Sequence, residues 1–346
     1  MKLIFFMSLA FFIFQLAEDL GPKCIDITNH WNLNGIDQYE NSIGMKNGCF
    51  GPLLGVYLPE PSELPAFEHL IGKKVDTFLC YQSISEDFDI VELEPITAGG
   101  RIVQLAWEPH DTSVPDAVNQ PKYRLRNIAE GKFDSDIRRW ADQIRDFKHI
   151  VLFRPISEMN GDWDSWDGTV NGNVPADFIP AWRHLHDLFA EQGATNVKWV
   201  WSPSNDDTNK SAATTWSTYY PGDEYVDYIG IDGYNWGTSQ DWKSKWQTFE
   251  QVFAPSYDVF ASKSTKPLMI CEFSSAEQGG SKAAWITNTF QVLQSRFPRL
   301  IAITWFNKNY AKVDFRVESS PQSIQAFHDS VAPNVCGSNM LNVLSK

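Results

Sequence analysis

The segment HIVLFRPISEMNGDWDSW, His149–Trp166, sets a guanidinium and a carboxylate at the end of an apolar run. In a strand alternate side chains share a face, so Arg154, Ile156 and Glu158 are expected to point the same way, with Glu158 at the strand exit. A second run, KPLMICEFSS, places Leu268, Ile270 and Glu272 on one face, and Glu272 is the first ionisable residue after the apolar stretch. A carboxylate there is costly unless it is paired or used. Two carboxyls carried by separate strand exits suit cleavage of a glycosidic bond, in which one acid protonates the departing oxygen and the other attacks carbon or activates water. A purely structural Arg154–Glu158 ion pair would account for the first segment alone, but not for the second.

Other strand exits carry matching chemistry. LIAITWF puts Ile301, Ile303 and Trp305 on one face, and Trp305 at the exit is expected to floor a sugar site. IGIDGYNWG delivers Asp232 and Tyr234 on one face, followed by Trp236, while AWEPHD delivers Glu108 and His110. The chain holds 14 Trp in 346 residues. About half of them are expected to fill the core, by the burial habits of large aromatics; the surplus suits wet, flat apolar surfaces such as sugar-ring faces.

These residues need a scaffold that brings strand ends together. Strands are expected at 51–58, 76–81, 101–108, 150–157, 197–202, 226–232, 268–273 and 300–306. Helical periodicity covers 134–147, 176–192, 245–261, 281–297 and 322–331. Pro175 and Gly193 punctuate one of these helices. Eight apolar strands with helices between them imply an α/β protein, a parallel sheet closed into a single (β/α)8 TIM barrel, with chemistry at the C-terminal strand ends. The runner-up, a doubly wound open sheet, lacks a G-x-G-x-x-G after the first strand. Glu158 and Glu272 lie 114 residues apart, which accommodates three βα units and places them on strands four and seven.

Composition bounds the partner. With 43 acidic and 29 basic residues the net charge is −14, so nucleic acid would be repelled and a neutral partner is favoured. Residues 1–17, one Lys followed by an apolar run, have the shape of a secretory signal, leaving 18–346 as one catalytic domain. No later stretch is long and apolar enough to span a bilayer. The mature chain is expected to be an extracellular monomer in an oxidising compartment, with an Asn-x-Ser glycan acceptor sequence at Asn209. Of five cysteines, Cys80 and Cys271 sit in strand-like runs and read as buried thiols; Cys24, Cys49 and Cys336 compete for one disulfide. No cofactor or metal is expected. His184-x-His186 falls within a helix, Asp206-Asp207 and Asp223-Glu224 read as solvated loop charges, and no G-x-S-x-G is present.

The segments RPISEMNGDW, IGIDGYNWG, KPLMICEFSS and ITWFN resemble those of glycoside hydrolase family 26, whose best-known members are endo-β-1,4-mannanases, over roughly residues 51–307. The resemblance implies a (β/α)8 barrel and a retaining, double-displacement mechanism. It matches Glu158 to the acid/base, Glu272 to the nucleophile, and Trp163, Tyr234 and Trp305 to aromatics around the cleaved sugar. On this reading Glu158 is protonated while Glu272 is anionic, and Glu108, His110, Arg154 and Trp236 join the substrate-binding set. Many family mannanases have His where this chain has Ser157 and Glu108. The W-E-P variant also resembles members that cut mixed-linkage β-1,3-1,4-glucan, which is the alternative substrate. A carbohydrate-binding barrel without turnover is the non-enzymatic alternative; it would not need both glutamates.

Overall fold

The computed structural model describes residues 51–205 and 216–334. The signal-like segment, Cys24, Cys49, Cys336, Asn209 and Asp206-Asp207 lie outside them. The strands in chain order are β1 (Leu53–Tyr57), β2 (Thr77–Ser83), β3 (Ile102–Glu108), β4 (Val151–Pro155), β5 (Val197–Trp201), β6 (Tyr228–Ile229), β7 (Asp232–Asn235), β8 (Leu268–Ser275) and β9 (Leu300–Phe306). Each neighbour pairs in parallel, β1 pairs with β9, and β6 pairs with β8, so the sheet closes on itself. β6 and β7 are two halves of one stave, which makes a closed eight-stranded parallel barrel. The break between them falls at Gly230, where a Cβ would stand 2.6 Å from Cys271 Sγ and 2.6 Å from Ser202 Oγ.

The outer layer comprises α1 (Leu64–Ile71), α2 (Ile90–Ala98), α3 (Leu125–Ala129), α4 (Asp134–Phe147), α5 (Phe178–Glu191), α6 (Phe249–Lys263), α7 (Lys282–Arg296) and α8 (Pro321–Asn334). α4 shows the logic. Ile137, Trp140, Ala141 and Ile144 recur at helical spacing and are all buried, while Asp134 and Asp136 in the first turn oppose the positive end of the helix dipole. α6 begins at Thr248, whose side chain accepts from Gln251 N–H while Gln251 reaches back to Thr248 N–H. α1, α2 and α3 have no counterpart among the sequence expectations. They are short, and α2 carries Pro95 inside it, so their periodic signal is weak.

Among the described residues eight Trp are buried, most of them between barrel and helices. Cys80 and Cys271 are free and buried. Inside the barrel, Leu53, Ile102, Leu152, Val200, Met269 and Ile301 form an apolar plug near the strand starts. Above it Gln104 donates to the Cys271 carbonyl at 3.2 Å and accepts from Thr304 Oγ1 at 3.1 Å. Among the described residues no helix is long and apolar enough to cross a membrane.

Candidate active site

A cavity of about 920 Å³ opens over the C-terminal strand ends, where Tyr57, Glu108 and Phe306 close their strands. Arg154, at the end of β4, is buried beneath it. Its Nη2 meets Asp232 Oδ2 at 3.2 Å, donates to Ser157 Oγ at 3.2 Å, and ion-pairs with Glu272 Oε1. Ser202 Oγ donates to the same Asp232 oxygen at 3.0 Å. Tyr234, one turn of the β7 alternation beyond Asp232, donates its hydroxyl to Glu272 Oε2. One guanidinium thus serves two carboxylates, and Glu272 receives a charge-assisted donor on one oxygen and a phenol on the other.

Glu158 reaches the cavity by a route that alternation does not give. β4 ends at Pro155, and Ile156 and Glu158 adopt left-handed backbone, φ 43° and 55°. A β-branched residue rarely accepts such a conformation, so the turn is strained and must be held from outside. Ile156 N–H donates to the Trp107 carbonyl at 3.0 Å, Glu158 N–H to the Ser202 carbonyl at 2.8 Å, and Trp166 Nε1 to the Ser157 carbonyl at 2.8 Å. Asn160 locks the turn to the end of β5 through a reciprocal pair with the Ser204 backbone at 3.0 and 2.9 Å. Ile156 consequently packs in the helix-side core rather than sharing the Arg154 face, which corrects the expected row of three. Gly161 is needed because a Cβ there would stand 2.7 Å from the Trp163 ring.

Glu272 also departs from simple alternation. Leu268 and Ile270 face the helices, as does Phe273, while Met269 and Cys271 face the barrel interior. The β8–β9 register shifts between Ile270 and Phe273. This irregularity turns Glu272 inward, away from the face it was expected to share with Leu268 and Ile270.

The electrostatics set Glu158 apart from an ordinary carboxylate. Burial, together with the negative charges of Asp232, Glu272 and Asp164, holds the Glu158 pKa well above the usual carboxylate range, with Arg154 opposing. Glu108 is pushed up to about 8, first by burial and then by Asp164. Asp164 is pushed up to about 7 by burial and by Glu272. Asp232 is also raised, by burial, although Arg154 beside it pulls the other way.

Of the residues singled out in the sequence, Glu108, Arg154, Glu158, Trp163, Tyr234, Trp236 and Glu272 line the cavity. Trp305 does not. It is fully buried on the helix side of β9, edge-on to Phe273 and Phe327, with Nε1 donating to the Phe315 carbonyl at 3.1 Å. Its neighbour Phe306 takes the cavity position, because Ile303 and Trp305 face the helices while Ile301, expected in the same row, lies in the apolar plug inside the barrel. His110 also lies off the cavity lining: the chain leaves β3 at Glu108, and the imidazole stacks on Trp166 at 5.7 Å with Nδ1 3.5 Å from Glu108 Oε2. Burial lowers its pKa, so it is a neutral buttress for Glu108 at neutral pH. Sequence reasoning missed Tyr57, Tyr81, Trp242, Lys308 and Tyr310, which also line the cavity: Tyr57 and Tyr81 lie within β1 and β2 with no motif to mark them, and the exposed Trp242 and Tyr310 left no signal beyond composition. His184 pairs with Asp134 at 2.7 Å on the outer helices. Among the described residues no group of three or more His, Cys, Asp or Glu is arranged to hold a metal ion.

Comparison with known proteins follows the same residues. The model for "Glycosyl hydrolase family 26" matches residues 105–265. The chain is 38% identical over 279 residues to "Endoglucanase H" of Acetivibrio thermocellus, covering 79% of this chain and 29% of that protein. It is 26% identical over 212 residues to "Mannan endo-1,4-beta-mannosidase A and B" of Caldalkalibacillus mannanilyticus, covering 59% of this chain and 37% of that one. The chain therefore spans about a third of the length of these curated relatives. The crystal structure of the GH26 domain of an endo-β-mannanase/endo-β-glucanase from Prevotella bryantii superposes with a TM-score of 0.64 at 17% identity, covering 90% of this chain and 97% of that domain, which speaks to the fold. Motif, barrel and relatives agree, and the chain belongs to glycosyl hydrolase family 26.

Proposed function

We propose that this protein is a secreted, monomeric, retaining endo-β-1,4-glycanase, with Glu158 as acid/base and Glu272 as nucleophile. The observation that carries the reading is the asymmetry of two glutamates on one cavity. Glu272 receives Arg154 and Tyr234, whereas Glu158 is surrounded by carboxylates and retains its proton. In the first step a Glu272 oxygen bonds to the anomeric carbon as the glycosidic C–O bond breaks, and the Glu158 proton passes to the departing oxygen. Esterification removes the Glu272 charge. Glu158 then sits as a carboxylate that takes a proton from water while the water oxygen displaces Glu272.

The substrate is a neutral β-linked polysaccharide, since the net charge of −14 and the Glu272 carboxylate on the cavity disfavour uronic acids. β-1,4-Mannan or glucomannan is the first reading, in keeping with the mannanase-like motifs and the mannosidase relative. Mixed-linkage β-glucan is the second, supported by Glu108 after Trp107 and by the higher identity and coverage of the endoglucanase match. Reducing-end release from galactomannan, glucomannan, barley-type glucan and β-1,3-xylan decides between them: cleavage of the mannans supports the first, and cleavage of barley-type glucan alone supports the second. For the mechanism, Glu158→Ala is expected to lose polysaccharide cleavage yet keep turnover of an aryl glycoside with a good leaving group, accelerated by azide. Equal loss on both substrates would reject the acid/base role.

A further inference from the structure

We infer that Trp242, on the loop after β7, is a specificity-determining residue that stacks a sugar beyond the one held at Glu158 and Glu272, and that a small hairpin is braced against that loop to hold it in place. This rests on the proposed glycanase reading and adds a recognition element to it. Trp242 lines the cavity yet is 64% exposed, an unusual position for a large apolar ring with no function there. It continues a ladder of rings that starts at the reacting centre. Tyr234, bonded to Glu272, lies 5.5 Å from Trp236, and Trp236 lies 5.5 Å from Trp242 at 74°. Trp242 is therefore two rings removed from the nucleophile, on the same cavity wall.

The wall is built rather than loose. After β9 the chain forms an antiparallel hairpin, β10 (Asn309–Tyr310) and β11 (Val313–Asp314), closed by Ala311 and Lys312. Both turn residues are left-handed, φ 51° and 69°, a tight-turn geometry that normally selects Asn or Gly. Both turn residues contact the Trp242 loop: Gln240 Nε2 donates to the Ala311 carbonyl at 2.7 Å, and Lys312 Nζ meets Asp241 Oδ2 at 2.6 Å. That exposed ion pair adds little stability. What the two contacts do is set the position of the residues between Trp236 and Ser244. The same hairpin presents Tyr310 to the cavity, under Lys308, whose ammonium lies 5.6 Å from its ring centre.

The test measures binding without turnover, in a Glu158→Gln parent, by calorimetry with mannobiose, mannohexaose, cellobiose and cellohexaose. A hexasaccharide of the preferred series should bind the parent more tightly than its disaccharide. Trp242→Ala should weaken hexasaccharide binding about tenfold while changing the disaccharide less than about twofold, and Trp242→Phe should restore most of the loss. Gln240→Ala combined with Lys312→Ala should give a smaller loss, about threefold, on the hexasaccharide. Unchanged hexasaccharide affinity in Trp242→Ala, or an equal loss on both lengths, overturns the inference and leaves the glycanase reading standing. A parent that binds none of the four sugars overturns the substrate class itself.

Discussion

The floor and the mouth of the barrel are made by the same strands and differ in nearly every physical respect. Along β3 the inward row runs from Ile102 through Gln104 and Ala106 to Glu108; along β4 it runs from Leu152 to Arg154. The lower residues join an apolar plug, the middle ones a neutral hydrogen-bonded layer, and the upper ones a layer of charges. Apolar burial of this kind is favourable and non-directional. The charged layer is costly, since a desolvated ion pair seldom repays its desolvation, and it persists because Arg154 satisfies Asp232 and Glu272 together. The plug contributes stability and a rigid base; the mouth uses some of that stability to hold charges where a reaction needs them.

The largest effect should come from removing the one cation that serves both carboxylates. Arg154→Met is expected to destabilise the fold by about 3–5 kcal/mol, because it leaves Asp232 and Glu272 buried without their partner. It should also abolish turnover in whatever fraction remains folded. Urea denaturation with parallel activity assays checks this; a variant of wild-type stability would break the contrast between floor and mouth.

A smaller effect sharpens the same contrast. Glu108 has a folded pKa of about 8 against an ordinary value of 4.5, so the folded state holds its proton more tightly than the unfolded chain does. Its contribution is therefore fully present below about pH 4.5 and is lost as pH rises toward 8. Glu108→Gln, which cannot ionise, should flatten the decline of stability across that window. The midpoint of denaturation, followed from pH 5 to 8.5, is the readout; an unaltered slope would mean that Glu108 titrates as an ordinary surface acid.

The barrel was legible because its strands are apolar on both faces, and every expected strand overlaps an observed one. The long helices α4 and α7 were also legible, from periods of buried residues, while α1 to α3 were too short or too interrupted to register. At the site, Glu158 and Glu272 were legible as residues and misread as geometry. Each reaches the cavity through a local break in alternation, a left-handed turn at Ile156 and a register shift before Phe273. The same rule carried Trp305 to the wrong side of β9: a register shift at Ile301 leaves that residue inside the barrel while Ile303 and Trp305 face the helices. Period-2 reasoning identified the wall well and failed at its functional edge, where strain and bulges re-aim side chains.

The central claim is that Glu272 forms a covalent bond to the substrate while Glu158 manages the proton. An activated 2-fluoro glycoside of the preferred substrate, incubated with the wild-type enzyme and followed by peptide mass spectrometry, tests it most directly. The account expects time-dependent inactivation with the label on the peptide containing Glu272. A label on Glu158 or another side chain, or slow turnover with no adduct, would contradict it.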